Sequence, residues 1–308
     1  MSSSPQHLKV PADASRLPMT LPRLAEKKAL GEPIVMVTAY DFPSARAAEA
    51  AGVDLVLVGD SGAMTVLGYE STVPVTIDEL LVLARATRRG LRTPFLVGDL
   101  PFGSYEVSDE QAVATAFRFV KEAGCDAVKL EGGGPVSVAR AAAIVGAGIP
   151  VMGHVGLTPQ TSTALGGYRA QGRTAAAAAR IAREALALQA AGCFSIVFEA
   201  IPSAVAEQLM PRMEIPVIGI GAGSAVDGQV LVFHDLLGIR EGLGARFVKR
   251  YASLQDEMAA GVGAFAEDVR TRRYPAPEHG YSIPAEEFDA FRSGLERTAE
   301  RRSHRLHS

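Results

Sequence analysis

The chain has 308 residues, of which 48% are apolar, so it can form one large domain or two small ones. Its formal net charge of -3 gives no electrostatic reason to expect a nucleic-acid partner. The N-terminus lacks the basic-then-apolar pattern of a signal peptide, and no apolar run is long enough to span a bilayer. We therefore expect a cytoplasmic protein that acts on small molecules, with neither a nucleic-acid nor a membrane partner.

The two cysteines have similar surroundings. Cys125 and Cys193 each follow an Ala-Gly pair and precede an apolar run. This setting favours small buried thiols over a disulfide or a pair of metal ligands. Free thiols agree with the reducing conditions of the cytoplasm.

Along the chain, β-branched segments alternate with Ala-rich amphipathic ones. Residues 1–20 are rich in Ser and Pro and lack periodicity, which predicts a disordered leader. The predicted strands are Ile34–Thr38, Leu55–Val58, Phe95–Gly98, Ala127–Leu130, Val151–His154, Ser195–Phe198, Val217–Ile220 and Gln229–Phe233. The predicted helices include Pro43–Ala51, Ile77–Arg89, Asp109–Ala123, Val136–Val145 and Ala175–Ala191, and Asp109 is the expected N-cap of the third.

Glycines mark the ends of these helices. Gly52, Gly90, Gly124, Gly148 and Gly192 each stand shortly before a predicted strand, where glycine can take the left-handed conformation that ends a helix. Strands joined by helices predict a parallel sheet, and eight of them match a closed (β/α)₈ barrel. The alternative is an open doubly wound sheet, which favours a Gly-rich turn after the first strand. Here that strand ends Val-Thr-Ala-Tyr-Asp, so we favour the barrel.

We expect the barrel to occupy residues 21–265 and a C-terminal extension to occupy 266–308. The charged stretch Glu286–Arg302 predicts a surface helix in the extension, available for assembly. Only residues 221–228 separate the seventh predicted strand from the eighth. Either the seventh helix is vestigial, therefore, or the eighth strand is misplaced.

Three carboxylates stand at the ends of predicted strands. Asp60 and Asp99 each follow a glycine at a strand end, and Glu131 follows the run Val-Lys-Leu. The carboxyl ends of barrel strands converge on one face, where catalytic groups gather. Hard oxygen ligands from three strands are typical of a Mg²⁺ site. The alternative for each aspartate is an Asx-turn or a helix cap.

Other polar residues lie at the same strand ends. Lys129 lies two residues before Glu131, so both face one side of the strand, where a charged pair is costly unless it is paired or bound to a ligand. The alternative is a salt bridge that fills the barrel. His154 ends the fifth predicted strand, where a hydrogen-bonded core histidine is the alternative to a catalytic one. Glu199 follows four mostly apolar residues, and we expect desolvation to raise its pKa toward use as a base, unless it caps the next helix.

Two Gly-rich segments are weaker signals. Gly219–Gly223 resembles a phosphate cradle, but it lacks the spacing of a dinucleotide fingerprint. Glycines at a barrel mouth also give room for a ligand. The segment Leu165–Arg173 is long for a βα loop and predicts a mobile active-site loop, with Tyr168 and Arg173 as candidate substrate contacts.

An ordered set of motifs resembles the ketopantoate hydroxymethyltransferase family. The set comprises Asp60-Ser-Gly-Ala-Met-Thr-Val-Leu-Gly-Tyr69, Asp99-Leu-Pro-Phe102, Val128-Lys-Leu-Glu-Gly-Gly133, Gly153-His-Val-Gly-Leu-Thr-Pro-Gln160, Gly166-Gly-Tyr-Arg-Ala-Gln-Gly172, Ile215-Pro-Val-Ile-Gly-Ile-Gly-Ala-Gly223 and Asp227-Gly-Gln-Val-Leu-Val-Phe-His-Asp235. Each motif alone is weak, but their order over residues 22–283 makes the set specific.

The resemblance implies a (β/α)₈ barrel of the phosphoenolpyruvate mutase and isocitrate lyase type, commonly assembled as a homo-decamer. It implies transfer of a hydroxymethyl unit from 5,10-methylenetetrahydrofolate to 3-methyl-2-oxobutanoate through a Mg²⁺-stabilised enolate, giving ketopantoate for coenzyme A synthesis. By position, Asp60, Asp99 and Glu131 match metal-site carboxylates, with Asp99 also a substrate contact. Further substrate-binding residues are Ser61, Lys129 and His154, and the base is Glu199. Whether the one-carbon unit reacts as an iminium or as formaldehyde stays open.

Two other functions remain as alternatives. A Mg²⁺-dependent carbon–carbon lyase for 2-oxo acids would share the barrel and the metal, but such enzymes typically carry a nucleophilic Cys in a mobile loop, and neither Cys here is so placed. A non-catalytic ligand-binding barrel would not need the complete set of three carboxylates and Lys129.

Overall fold

A closed parallel barrel forms the larger part of the chain. The computed structural model describes residues 16–164, 166–167, 169–240 and 244–306. Within these residues, the barrel strands in chain order are β1 (Ile34–Thr38), β2 (Leu55–Val58), β3 (Phe95–Asp99), β4 (Ala127–Lys129), β5 (Val151–Gly156), β6 (Ser195–Glu199), β7 (Val217–Ile220) and β8 (Gly228–Leu231). Pairing of β8 with β1, in the register Ile34 to Gly228, closes the ring. The predicted barrel is confirmed, and the open sheet is excluded.

Helices alternate with the barrel strands, and the last two described helices belong to the separate unit that starts at Leu254. In chain order the described helices are α1 (Leu21–Leu30), α2 (Phe42–Ala51), α3 (Gly62–Thr65), α4 (Ile77–Gly90), α5 (Asp109–Ala123), α6 (Pro135–Gly146), α7 (Ala175–Ala190), α8 (Ser203–Leu209), α9 (Phe233–Leu237), α10 (Leu254–Arg270) and α11 (Ala285–Leu306). Short 3₁₀ turns lie at Pro159–Thr161, Met210–Arg212 and Pro277–His279. No helix in the described part of the chain is long and apolar enough to cross a membrane.

Side chains alternate between two apolar layers along each strand. One set of positions packs outward under the helices, and the other fills the barrel interior. The interior layer, which we call the plug, consists of Met36, Leu55, Leu57, Phe95, Val97, Ala127, Met152, Val197, Ile218 and Val230 together with Met19, Leu24, Ile34 and Ile220. Because strands of such a barrel are covered on both faces, they read as nearly continuous apolar runs.

The N-terminal segment is ordered earlier than expected. Thr20 caps α1 by accepting from the Arg23 amide, and Leu24 is 1% exposed within the plug. Met19 is also buried, and its amide donates to the Thr93 carbonyl at 2.7 Å. Residues 16–20 therefore belong with the barrel rather than with a leader, whereas residues 1–15 lie outside the described chain.

Two local expectations were wrong. The N-cap of α5 is Ser108, whose hydroxyl accepts from the Gln111 amide, and Asp109 is the first helical residue. Gly90 is the last residue of α4 and does not take a left-handed conformation. A Cβ at Gly90 would lie 2.6 Å from Ala45 Cβ, so glycine is needed there for the close approach of α4 to α2. Gly52, Gly124, Gly148 and Gly192 do have positive φ, as predicted.

The end of the barrel also departs from the regular pattern. The described residues 221–227, which connect β7 to β8, form no helix, so the vestigial seventh helix is confirmed and β8 lies close to its predicted place. The chain divides into one compact unit ending at Ser253 and another starting at Leu254. The boundary predicted at residue 265 falls inside α10, and the predicted surface helix corresponds to α11.

Candidate active site at the carboxyl end of the barrel

One cavity of about 410 Å³ collects the polar residues that follow the strands. Its walls include Asp60 after β2, Asp99 at the end of β3, Lys129 and Glu131 at the end of β4, His154 in β5 and Glu199 at the end of β6. Ser61 lines it as well. All seven residues predicted at the strand ends therefore line the same space, as expected for the carboxyl ends of barrel strands.

Lys129 stands between two buried carboxylates. Its Nζ lies 2.7 Å from Asp99 Oδ1 and 3.7 Å from Glu131 Oε1, and each of these side chains is at most 4% exposed. Burial alone would lower the pKa of Lys129, but the charges of Asp99, Glu131 and Asp60 outweigh it and raise that pKa. Lys129 is therefore a fixed positive charge in the cavity.

Asp60 has less compensation for its charge. Its Oδ2 accepts from the Gln160 amide at 3.1 Å, and its backbone N–H donates to Asp99 Oδ2 at 3.2 Å. Burial, followed by the negative charges of Asp99 and Glu131, raises the pKa of Asp60 well above its usual value. The Asp60 carboxylate does not cap a helix: α3 begins at Gly62, its N-cap residue is Ser61, and it has no side-chain cap. The cluster thus holds more negative charge than its own cations neutralise.

The donor chemistry fits a hard divalent cation, but the three carboxylates do not form one ready ligand set. The Glu131 carboxylate pairs with Lys129 and His154. Its Oε2 also accepts from the backbone N–H of Gln160 at 3.0 Å. Among the described residues, no three His, Cys, Asp or Glu side chains are arranged to hold a metal ion together. Asp60 and Asp99 have the closest link, through the hydrogen bond between the Asp60 backbone and the Asp99 carboxylate.

His154 lies between two glutamates. Its Nδ1 is 3.4 Å from Glu131 Oε1, and its Nε2 is 3.2 Å from Glu199 Oε2. Neither nitrogen is aligned well enough for a hydrogen bond, so we treat both contacts as ion pairs. Burial lowers the pKa of His154, but Glu131 and Glu199 together more than offset this effect and raise the pKa to about 9. The imidazole is therefore cationic at neutral pH, and it is a buried partner of both acids.

Glu199 is the least buried member of the cluster, with a side chain 16% exposed. The desolvation expected from its apolar strand is thus partial. The next helix, α8, has no side-chain cap, which excludes the helix-capping alternative. Its carboxylate faces the cavity beside His154, where it can accept a proton from a bound molecule.

The sequence comparison decides the family. The sequence model of the family described as ketopantoate hydroxymethyltransferase matches residues 18–277. The chain belongs to this family. A 3-methyl-2-oxobutanoate hydroxymethyltransferase of Moorella thermoacetica is 50% identical over 87% of this chain and 99% of its own. A mitochondrial enzyme of that name from Arabidopsis thaliana is 48% identical over 91% of this chain and 82% of its own.

Solved structures of low identity share the barrel. Phosphonopyruvate hydrolase aligns with a TM-score of 0.57 at 14% identity, over 92% of this chain and 99% of its own. A 2,3-dimethylmalate lyase, described as a member of the phosphoenolpyruvate mutase and isocitrate lyase superfamily, aligns with a TM-score of 0.54 at 17% identity, over 93% of this chain and 99% of its own. At these identities the likeness shows the fold alone, and it confirms the predicted barrel type.

Two residues that support the candidate site were missed in the sequence. Tyr40, 1% exposed, shares a 2.8 Å hydrogen bond with Ser61 Oγ and so orients that hydroxyl. Gln160 joins Asp60 to Glu131 and also accepts from the Tyr105 hydroxyl at 2.7 Å. Gln160 ends one of the family motifs, and Tyr40 follows the first strand. The sequence therefore indicated both positions, but it did not indicate their hydrogen-bond partners.

The described residues of the Gly-rich segment 165–173 do not line the cavity. Tyr168 and Leu165 lie outside the described residues, so the predicted role of Tyr168 stays a prediction. Arg173 is exposed and is not among the residues that line the cavity. The segment 219–223 does not form an open cradle. Side chains occupy the space beside two of its glycines: Phe247 lies beside Gly221, and Ser203 lies beside Gly223.

Proposed function

We propose that the protein transfers a hydroxymethyl unit from 5,10-methylenetetrahydrofolate to 3-methyl-2-oxobutanoate, giving 2-dehydropantoate (ketopantoate), with Mg²⁺ as the metal. The observation that carries the proposal is the buried group of Asp60, Asp99, Lys129 and Glu131 beside the Glu199 carboxylate in one cavity. The names of relatives about half identical over most of the chain give the substrate.

Asp60 and Asp99 are the residues that would hold the metal, with Glu131 contributing through water or through its effect on Lys129. Both aspartates are buried, and burial together with the neighbouring negative charges raises the pKa of Asp60, so a divalent cation would offset a real electrostatic cost. When bound, Mg²⁺ supplies a Lewis acid that draws electron density from the 2-oxo acid.

Ser61 and Lys129 would bind and polarise the substrate. The Ser61 hydroxyl, oriented by Tyr40, is placed to hydrogen bond with the substrate carboxylate. Lys129 keeps its proton in this environment, so its positive charge is available where negative charge develops on the keto oxygen.

Glu199 would remove the proton from C3 of the substrate. His154 is charged, and its Nε2 lies 3.2 Å from Glu199 Oε2, so it would hold the carboxylate in place. The C3 carbon then forms a bond to the one-carbon unit, while the folate leaves as tetrahydrofolate and water supplies the new hydroxyl. The iminium and formaldehyde routes give the same balance.

The lyase alternative lacks its nucleophile in this cavity. Cys125 and Cys193 are 3% and 2% exposed and belong to the outer apolar layer under the helices. Burial raises the pKa of each thiol to about 12, which keeps both protonated. A non-catalytic barrel would gain nothing from burying this many charges, which is costly without a ligand.

The test is a turnover assay with the whole chain. We expect 2-dehydropantoate from 3-methyl-2-oxobutanoate and 5,10-methylenetetrahydrofolate with Mg²⁺, and a loss of turnover when the metal is chelated. Cleavage of a 2-oxo acid into two fragments, with no hydroxymethyl product, would instead support the lyase. Homo-oligomerisation, including the decamer, and the cytoplasmic location remain predictions, and light scattering on the pure protein would test the first.

A further inference from the structure

The catalytic cavity has a second wall that the chemistry on the 2-oxo acid does not use. Besides the carboxylate cluster, the cavity is lined by Met64, Val232, Asp235, Arg240 and Phe247, which we call the outer wall. A cavity of about 410 Å³ has the size of a site for a drug-sized ligand, and a five-carbon acid fills only part of it. The remaining space must be filled by another molecule or by water.

Phe247 provides an aromatic surface on this wall. A Cβ at Gly221 would lie 2.5 Å from the Phe247 ring, so the missing side chain there lets the ring pack against the end of β7. Gly221 has a φ of +67°, which also favours glycine. Phe247 packs partly against the plug and also lines the cavity, so part of the ring can stack on a planar ligand.

Asp235 provides a carboxylate beside that ring. Its side chain is only 12% exposed, and its Oδ1 accepts from Arg240 at 3.1 Å. A carboxylate only accepts hydrogen bonds, and the Arg240 bond uses one of its two oxygens. The chemistry complementary to this wall is thus a flat ring with N–H donors on one edge. Asp235 ends the motif that starts at Asp227, to which the proposed reaction assigns no role.

We infer that the outer wall binds the pterin ring of the one-carbon donor, stacked on Phe247 and donating to Asp235. The inference rests on the proposed function, which supplies the folate. The pyrimidine edge of a reduced pterin carries a ring N–H next to an exocyclic amine, and this pair of donors matches a carboxylate. The opposite side of the ring, which carries the one-carbon unit, is then directed into the cavity that Glu199 also lines.

Titration of tetrahydrofolate into the full-length protein with Mg²⁺, followed by calorimetry, tests the inference. Asp235→Asn and Phe247→Leu should each weaken tetrahydrofolate binding by roughly tenfold or more, because a hydrogen bond to a charged group or an aromatic contact is lost. Exchange of the C3 proton of 3-methyl-2-oxobutanoate with deuterated water, measured without folate, should stay within about threefold of wild type. Asp78→Asn is the matched control, since Asp78 also pairs with an arginine, Arg118, but on the exposed surface.

Wild-type affinity for tetrahydrofolate in both variants would overturn the inference while leaving the proposed function intact. Equal losses of folate binding and C3 exchange would also overturn it, because they would show that the outer wall supports the whole site. A wild-type protein that makes no 2-dehydropantoate from methylenetetrahydrofolate would refute the proposed function itself, and this inference with it.

Discussion

Positions two residues apart on β3 and β4 face the same barrel interior but have opposite characters. Val97 and Ala127 are fully buried in the apolar plug, whereas Asp99 and Lys129 form a buried ion pair at 2.7 Å. The plug removes apolar surface from water and gains stability by doing so. The charged end is costly to bury and is maintained by mutual pairing. The two ends of one barrel thus differ: one end stabilises the fold, and the other holds the charged groups to which we assign the chemistry.

The largest expected effect on stability comes from Lys129. This residue pairs with the buried carboxylates, and we also assign it to substrate binding. Lys129→Met leaves Asp99 and Glu131 buried without their shared cation, which should cost about 3–5 kcal/mol of unfolding free energy at neutral pH. Urea titration measures this loss. The variant should regain part of it on acidification, since Asp99 can then be protonated. A variant as stable as wild type at pH 7 would show that the pair contributes nothing to the fold.

Met152 tests the opposite end of the comparison. It is fully buried in the plug, so Met152→Ala should lower the unfolding free energy by about 2–5 kcal/mol. Turnover at a temperature where the variant stays folded should remain within about threefold of wild type, because Met152 is not among the residues that line the catalytic cavity. Loss of turnover without loss of stability would contradict the division between the two ends.

Asp60 should show the smallest effect on stability, and with the opposite sign. Its pKa is raised in the folded protein, so its contribution to stability is present below its usual value of 3.8 and is lost as pH rises through the raised folded value. Asp60→Asn removes that loss. The metal-free variant should be more stable than wild type by about 1 kcal/mol or more at neutral pH, while turnover disappears.

Thermal unfolding of metal-free protein across pH measures this difference. The gain from Asp60→Asn should shrink as pH falls toward 4, and added Mg²⁺ should stabilise wild type more than the variant. A variant that is less stable than wild type at every pH would contradict this prediction, because it would mean that the surroundings stabilise the ionised form of Asp60.

The sequence predicted the barrel and most of the polar residues that line its cavity, because both depend on local patterns. Apolar runs bounded by glycines located the strands, and the polar residue at each strand end then followed from the barrel geometry. Contacts between distant segments were not predictable in this way. The hydrogen bond from Tyr40 to Ser61 and the link from Gln160 to Asp60 join segments that only the closed barrel brings together. Gly90 was misread for the same reason: its role depends on Ala45 in another helix.

Isotope exchange at C3 tests the central claim, that Glu199 at the charged end takes the substrate proton. Proton NMR of 3-methyl-2-oxobutanoate in deuterated water, with Mg²⁺ and without folate, should show exchange by wild type. Glu199→Gln should slow the exchange by roughly 10²–10⁴-fold, because the shape is kept and the basic oxygen is lost. Glu122→Gln, at an exposed ion pair with Arg118, should exchange like wild type. Exchange by Glu199→Gln at the wild-type rate would contradict the account and would point to another base in the cavity.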